Sequence, residues 1–143
     1  MRYTATTIGA TVSIAALLLA AGAANAAPTS PTSLYAPSAL VLAVGHGDDA
    51  ATVTVERAVT LSCAPTPTGS HPAPSAACAE LKAVDGEFGL IGSTPTTPCT
   101  RQWDPVTVTA AGVWKGKQVS WSTTYGNSCE MRARLADSAV FSF

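Results

Sequence analysis

The sequence has 143 residues, of which eight are Lys or Arg and nine are Asp or Glu, for a formal net charge of −1 at pH 7. Because so balanced a composition gives no strongly cationic surface, it excludes nucleic acid and anionic membranes as expected partners. With 47% hydrophobic residues, the chain can form one domain with a modest core.

The N-terminal segment is typical of a secretory signal peptide. It has a basic start at Arg2, an apolar stretch over Ile8–Ala24 and a small-x-small cleavage pattern that ends at Ala26. The alternative is a membrane anchor, but the stretch barely reaches the roughly 20 apolar residues that a span requires. We predict that residues 1–26 are removed, with cleavage after Ala27 as the alternative. The mature protein is then secreted and extracellular, without membrane contact.

The predicted domain spans residues 34–143, after a polar, proline-containing lead over 27–33 that we expect to be flexible. The apolar run Ser38–Val44 predicts a first strand. Alternating apolar residues in Ala51–Cys63 indicate one or two half-buried strands, and the Pro- and Gly-rich segment 64–74 is typical of a loop.

The main helix is predicted over Ser75–Val84, which follows a proline and carries apolar residues on one face. After it, Glu87–Pro98 is rich in Gly, Ser, Thr and Pro and indicates a long surface segment. Val106–Val113 and Gln118–Tyr125 predict two strands, joined by a turn around Lys115–Lys117.

The chain is predicted to end with a short helix over Glu130–Leu135 and a final strand over Ala139–Phe143. Together these elements predict an α+β fold. Its sheet is antiparallel and five-stranded, and it is packed with two helices, one main and one short.

The first predicted strand has apolar residues on both faces, since Leu40 and Leu42 point to one side and Val41 to the other. An antiparallel sheet with one solvated face would instead alternate with polar residues. Because the helices cover only one face, we predict that a second copy of the chain covers the other, as a homodimer. The alternative is a few exposed valines, which are common on protein surfaces.

The sequence contains four cysteines, which are Cys63, Cys78, Cys99 and Cys129. In a secreted chain two disulfides are expected, and three pairings are possible. Of these we take the nearest-neighbour pairing, Cys63–Cys78 and Cys99–Cys129, as the prediction. A zinc site is disfavoured because no Cys-x-x-Cys pair occurs. We predict no metal and no cofactor.

The sequence offers little for catalysis. Its two histidines, His46 and His71, lie in Gly- and Pro-rich segments, and no serine stands in a Gly-x-Ser-x-Gly motif. Most carboxylates lie in turns or at exposed helix positions, where solvated charges are common. We therefore predict that the protein is not an enzyme.

An extended loop is predicted around Arg101. The segment Thr96–Pro105 is tethered at Cys99, and its prolines favour extended backbone at the residues that precede them. A protease binds its substrate in an extended, constrained form. On these residues alone, however, an ordinary surface loop with a solvated arginine is the preferred interpretation.

A set of motifs covers essentially the whole domain and includes all four cysteines: Leu34–Leu42, Glu56–Pro65, His71–Pro74, Ala77–Leu81, Asp104–Val106, Gly112–Trp114, Asn127–Met131 and Val140–Phe143. On these motifs the sequence resembles the Streptomyces subtilisin inhibitor family of secreted serine protease inhibitors.

The resemblance implies a five-stranded antiparallel sheet with two helices, a homodimer formed through the sheet and the same nearest-neighbour disulfides. It implies that the reactive bond, which the protease attacks, is Arg101–Gln102. It places Asn127 behind the loop as its support. It gives the protease-binding loop as Pro98, Cys99, Thr100, Arg101, Gln102, Trp103 and Asp104.

A substrate-like mechanism follows from this resemblance. The protease's serine attacks the Arg101 carbonyl, but the disulfide, the prolines and Asn127 hold the new ends so that religation competes with hydrolysis. An arginine pairs with the acidic pocket of trypsin-like proteases, so these are expected targets beside subtilisin-like ones. Thr100 stands where the family often has proline and Trp103 where it often has tyrosine.

Two other functions stay open on the sequence. The exposed Gln102 and the lysines would suit a secreted substrate or partner of another extracellular enzyme, a transglutaminase or a metalloprotease. A cell-wall binding module would need a row of exposed aromatic residues, and Trp103, Trp114 and Trp121 are not arranged so in the sequence.

Overall fold

The computed structural model describes residues 37–95 and 97–143. In these residues there is one antiparallel sheet of four strands with the spatial order β2-β1-β3-β4. The strands are β1 (Ala39–His46), β2 (Thr54–Ser62), β3 (Val106–Trp114) and β4 (Lys117–Tyr125). The α-helices are α1 (Pro74–Ala83) and α2 (Ser128–Leu135), and a short 3-10 helix spans Phe88–Leu90.

The predicted signal peptide, residues 1–26, and the predicted lead, 27–33, lie outside the described residues. Within the part of the chain that the structure describes, no helix is long and apolar enough to cross a membrane.

The α+β class and the two helices are confirmed, but the predicted fifth strand at Ala139–Phe143 is wrong, because this segment is a turn. The Val140 N–H donates to Glu80 Oε2 at 2.9 Å, and the Val140 carbonyl accepts from His71 Nε2 at 3.1 Å. Side chains therefore satisfy the backbone groups that a strand would pair in a ladder, while the Val140 side chain is fully buried in the core.

The core lies between the sheet and the helices. Leu40 and Leu42 of β1 are buried on the helix side of the sheet, as is Leu61 of β2, and they pack with Leu81 of α1. Alternation with period two places these side chains on one face, as the sequence pattern predicts. A disulfide joins Cys63 to Cys78 and so ties the end of β2 to α1.

The opposite face of the sheet carries small and exposed side chains. The register places Val41 of β1 beside Thr60 of β2 and Ala111 of β3, and Ala111 beside Ser120 of β4. All four residues of this row are exposed, and Val41 is 48% exposed.

The β3–β4 hairpin determines where the ends of these strands lie. Lys115 and Gly116 form its two-residue turn with φ angles of 47° and 80°, the left-handed backbone that tight hairpins use. At the far end of the hairpin, Val106 pairs with Tyr125. The chain that enters β3 therefore lies beside the chain that leaves β4 toward α2.

Candidate functional site

The loop before β3 lies against the N-terminus of α2, as the hairpin register requires. One backbone hydrogen bond continues the antiparallel pairing beyond the strands, from the Asp104 N–H to the Gly126 carbonyl at 2.9 Å. The residues that follow Gly126 begin α2, so the loop and the start of the helix are held side by side.

Asn127 joins this helix to the loop through the two ends of its amide. Its Oδ1 accepts from the Glu130 N–H at 3.0 Å, which makes Asn127 the N-cap of α2. Its Nδ2 donates to the carbonyls of Thr100 and Gln102, each at 3.0 Å. Because Asn127 is only 8% exposed, this support lies behind the loop and holds a carbonyl on each side of Arg101.

A disulfide fixes the start of the loop to the same helix. Cys99 is bonded to Cys129 in the first turn of α2, with a Cα–Cα distance of 5.8 Å. The loop is therefore attached to α2 by a covalent bond before Arg101 and by hydrogen bonds on both sides of it.

The side chains at the tip of the loop face solvent. Arg101 and Gln102 are exposed, and Trp103 is 67% exposed. Among the described residues no ion pair involves Arg101. The backbone is thus held from behind, while the arginine side chain is available to a partner.

The far end of the loop approaches the end of β1. Asp104 Oδ1 lies 3.7 Å from His46 Nδ1, and Glu56 Oε1 lies 3.4 Å from His46 Nε2. These groups are exposed, so the attraction is weak. A stronger connection is the hydrogen bond from the Gly47 N–H to the Pro105 carbonyl at 3.0 Å. No sequence pattern predicted the contacts of His46 with Asp104 and Glu56.

The hydrogen bond that Glu130 makes beside the loop was also not predicted from the sequence. Its carboxylate accepts from the Gly126 N–H at 2.9 Å, close to the cap that Asn127 provides. Asn127 followed three residues later by Glu130 is a pattern typical of a helix N-terminus. That pattern would have placed the start of α2 at Ser128 rather than at the predicted residue 130.

The histidines are occupied by structural contacts. His71 Nδ1 accepts from the Ala73 N–H at 3.0 Å and its Nε2 donates to Val140, so both ring nitrogens support the fold. His46 faces carboxylates. Among residues 37–95 and 97–143, no group of three or more His, Cys, Asp or Glu could hold a metal ion.

The three tryptophans do not form an exposed row. Trp103 is exposed, but Trp114 is only 5% exposed and Trp121 stacks against both Phe88 and Phe141 in an aromatic cluster. This arrangement does not favour a surface for cell-wall glycan.

Comparison with known proteins agrees with the resemblance read from the sequence. The family model described as subtilisin inhibitor-like matches residues 36–127. A subtilisin inhibitor from Streptomyces violaceus is 49% identical over 100% of both chains. Subtilisin inhibitor-like protein 4 from Streptomyces lavendulae is 60% identical over 72% of this chain and 89% of its own length.

A solved structure also matches. Sermetstatin from Streptomyces caespitosus, crystallised in complex with Bacillus licheniformis subtilisin, superposes with a TM-score of 0.71 at 48% identity and covers 75% of this chain and 99% of its own. The chain therefore belongs to the subtilisin inhibitor-like family, whose members are protease inhibitors rather than enzymes.

Proposed function

We propose that this chain is a secreted serine protease inhibitor that offers Arg101–Gln102 as a substrate-like reactive bond. The observation that carries the proposal is the contact of Asn127 Nδ2 with the carbonyls of Thr100 and Gln102, on either side of an exposed Arg101. A loop held in this way presents its outer edge as an extended strand to which a protease can hydrogen-bond.

The mechanism follows from what holds each side of the bond. The protease's serine attacks the Arg101 carbonyl carbon, the bond to the Gln102 nitrogen breaks, and the serine's proton passes through the protease's histidine to the leaving amine. Asn127 and the Asp104–Gly126 hydrogen bond keep that amine near the acyl-enzyme. The amine then attacks the acyl carbon, releases the serine and restores the peptide bond faster than water hydrolyses it.

Preorganisation supports tight binding by such a loop. Ordering a flexible loop on binding lowers affinity, and a loop whose backbone is already held in place avoids that loss. The Cys99–Cys129 disulfide and the Asn127 hydrogen bonds supply this order before the protease arrives.

The arginine determines the class of target. An aspartate at the base of a trypsin-like specificity pocket pairs with a guanidinium, so Arg101 suits trypsin-like proteases. Subtilisin-like proteases are the second class, since the related sermetstatin was crystallised with a subtilisin. We propose that both classes are inhibited.

Titration of active trypsin and active subtilisin with the mature protein tests this function. Wild type should inhibit both enzymes at concentrations well below about 1 µM, and mass spectrometry should find cleavage at Arg101–Gln102. Arg101→Glu should abolish inhibition of trypsin, because it places a negative charge in an acidic pocket. The matched control Arg57→Glu changes an exposed arginine of β2 and should inhibit like wild type.

Two results would contradict the proposal. If wild type inhibits neither enzyme at micromolar concentration, the function is wrong. If Arg101→Glu inhibits trypsin as well as wild type does, the reactive bond lies elsewhere.

We also propose secretion with loss of residues 1–26, and a homodimer that covers the open face of the sheet. The signal-peptide pattern that ends at Ala26 supports the first and the exposed row around Val41 supports the second. The N-terminal mass of the protein from culture medium tests the cleavage site.

A further inference from the structure

The hydrogen bonds behind the loop converge on Glu130. Its backbone N–H donates to Asn127 Oδ1 at 3.0 Å, and its side-chain Oε2 accepts from the Gly126 N–H at 2.9 Å. Each of these partners holds the loop in turn. Asn127 donates to the carbonyl of Gln102, and the Gly126 carbonyl accepts from the Asp104 N–H.

The packing around Gly126 shows how close the carboxylate comes to the backbone. A Cβ added at Gly126 would lie 2.9 Å from Glu130 Oε2 and 3.9 Å from Trp103 Cε3. A side chain at this position would therefore displace the carboxylate, since real Cβ contacts are almost never this short. Glycine leaves room for Glu130 to reach the main chain beneath the loop.

We propose that Glu130 is a positioning residue for the primed segment of the reactive bond, defined as Gln102–Asp104. Glycine is conformationally permissive, so the orientation of the Gly126 carbonyl depends on what fixes the backbone around it. Glu130 fixes this backbone on both sides. Its carboxylate accepts from the Gly126 N–H, and its own N–H donates to the capping Asn127 Oδ1. The Gly126 carbonyl is thereby held toward the Asp104 N–H.

This role matters because the two sides of the bond are held differently. The inference rests on the proposed function: once Arg101–Gln102 is cleaved, the disulfide at Cys99 still retains the Arg101 side. Next to the cleaved bond, the primed segment is held by the hydrogen bonds at the Gln102 carbonyl and the Asp104 N–H. Loss of the Glu130 carboxylate should let the primed segment move. The effective concentration of the Gln102 amine at the acyl group then falls, and hydrolysis is favoured.

Two variants at position 130 test the proposal with catalytic trypsin. Glu130→Ala should raise the equilibrium ratio of cleaved to intact inhibitor about fivefold, roughly what one lost hydrogen bond is worth. Glu130→Gln retains an acceptor oxygen and should stay within about twofold of wild type. If Glu130→Ala leaves this ratio unchanged, whatever it does to the melting temperature, Glu130 is merely structural and the proposal is wrong.

A double mutant isolates the contact between Glu130 and Gly126. Gly126→Ala alone should also raise the ratio, because its Cβ displaces the carboxylate. In the Glu130→Ala background the same substitution should add little, since the group it displaces is gone. Fully additive effects would show that the two residues act separately and would overturn the proposal.

Amide hydrogen exchange tests the positioning without a protease. In free Glu130→Ala the Asp104 amide should exchange faster than in wild type, while the Gly116 amide, which is bonded to the Pro37 carbonyl, should not change. Unchanged exchange at Asp104 would overturn the proposal. If wild type inhibits no protease, the proposed function fails on that result alone and the exchange still tests Glu130.

Discussion

At the scale of the residue, Asn127 performs two tasks with the two ends of one amide, and substitutions can separate them. Asn127→Asp retains an oxygen that caps α2 but loses the Nδ2 donors to Thr100 and Gln102. We expect it to melt within a few degrees of wild type, yet to be cleaved by trypsin at least about tenfold faster, since two hydrogen bonds are lost.

Asn127→Ala is the matched variant because it removes the cap as well. It should be destabilised by about 1 kcal/mol and be cleaved as fast as Asn127→Asp. Thermal unfolding and the time course of inhibitor cleavage measure the two effects. Slow cleavage of Asn127→Asp would show that the amide donors do not hold the loop.

Site residues differ in how far the sequence predicts them. Arg101 could be singled out only through the family resemblance, because composition and spacing also fit an ordinary solvated arginine. The cap at Asn127 was open to prediction, since an Asn with a Glu three residues later is a local pattern. The contact of His46 with Asp104 was not, because it depends on the long-range register of β1 against β3.

At the scale of the element, the two disulfides should differ in what their loss does. The Cys99–Cys129 bond closes a sequence separation of 30 and should contribute roughly 3–4 kcal/mol, while Cys63–Cys78 closes 15 and should contribute about 3 kcal/mol. Replacing Cys99 and Cys129 with serine should lower stability and turn the inhibitor into a substrate.

Serine at Cys63 and Cys78 is the control, because this disulfide joins β2 to α1 rather than to the loop. Below its melting temperature this variant should still inhibit trypsin. Denaturant unfolding and trypsin titration separate stability from inhibition. Equal loss of inhibition in both variants would mean that the loop disulfide has no special role.

The β3–β4 turn is joined to the segment after α1 by an ion pair that should fail in acid. The Lys115 ammonium, by its hydrogen bond and its charge, holds the pKa of the Asp85 carboxyl below its usual value. A lowered folded-state pKa adds stability above the unfolded pKa, which is lost as pH falls. The effect is small because both groups are exposed.

Thermal unfolding between about pH 6 and pH 2 measures this pair. Lys115→Gln should melt slightly below wild type near pH 6, and the difference should disappear toward pH 2, where Asp85 is protonated. Lys82→Gln on α1 is the control and should show no pH-dependent difference. A difference that persists at pH 2 would assign the effect to packing.

Elements with a strong local pattern were predicted within a few residues of their observed ends. The main helix was expected at Ser75–Val84 and spans Pro74–Ala83, and the hairpin strands agree as closely. The prediction of a final strand was wrong because the apolar pattern of Ala139–Phe143 indicates burial but not pairing with a neighbouring strand. Two side chains, Glu80 and His71, take the hydrogen bonds that a strand would make.

At the scale of the whole molecule, the open face of the sheet is the surface that we propose a second copy covers. The helices cover one face, and the row from Thr60 through Val41 and Ala111 to Ser120 is exposed on the other. Small side chains in such a row allow two sheets to approach closely. The proposed protease-binding loop leads into the start of β3, beyond the row of exposed side chains, so we expect a dimer through this face to leave both loops accessible.

Val41→Asp tests this arrangement, because it would bury a charge at the centre of the interface without a partner. Sedimentation velocity at about 10 µM should find wild type as a dimer and the variant as a monomer, a shift that a buried unpaired charge is large enough to cause. The monomer should still inhibit trypsin, with one protease bound per chain.

Leu90→Asp is the control, since Leu90 is 69% exposed and lies outside the sheet. This variant should sediment as wild type does. A monomeric wild type would contradict the dimer and leave Val41 as a simply exposed valine. Loss of inhibition in a folded Val41→Asp monomer would show instead that dimerisation supports the loop, because position 41 lies on the sheet rather than in the loop.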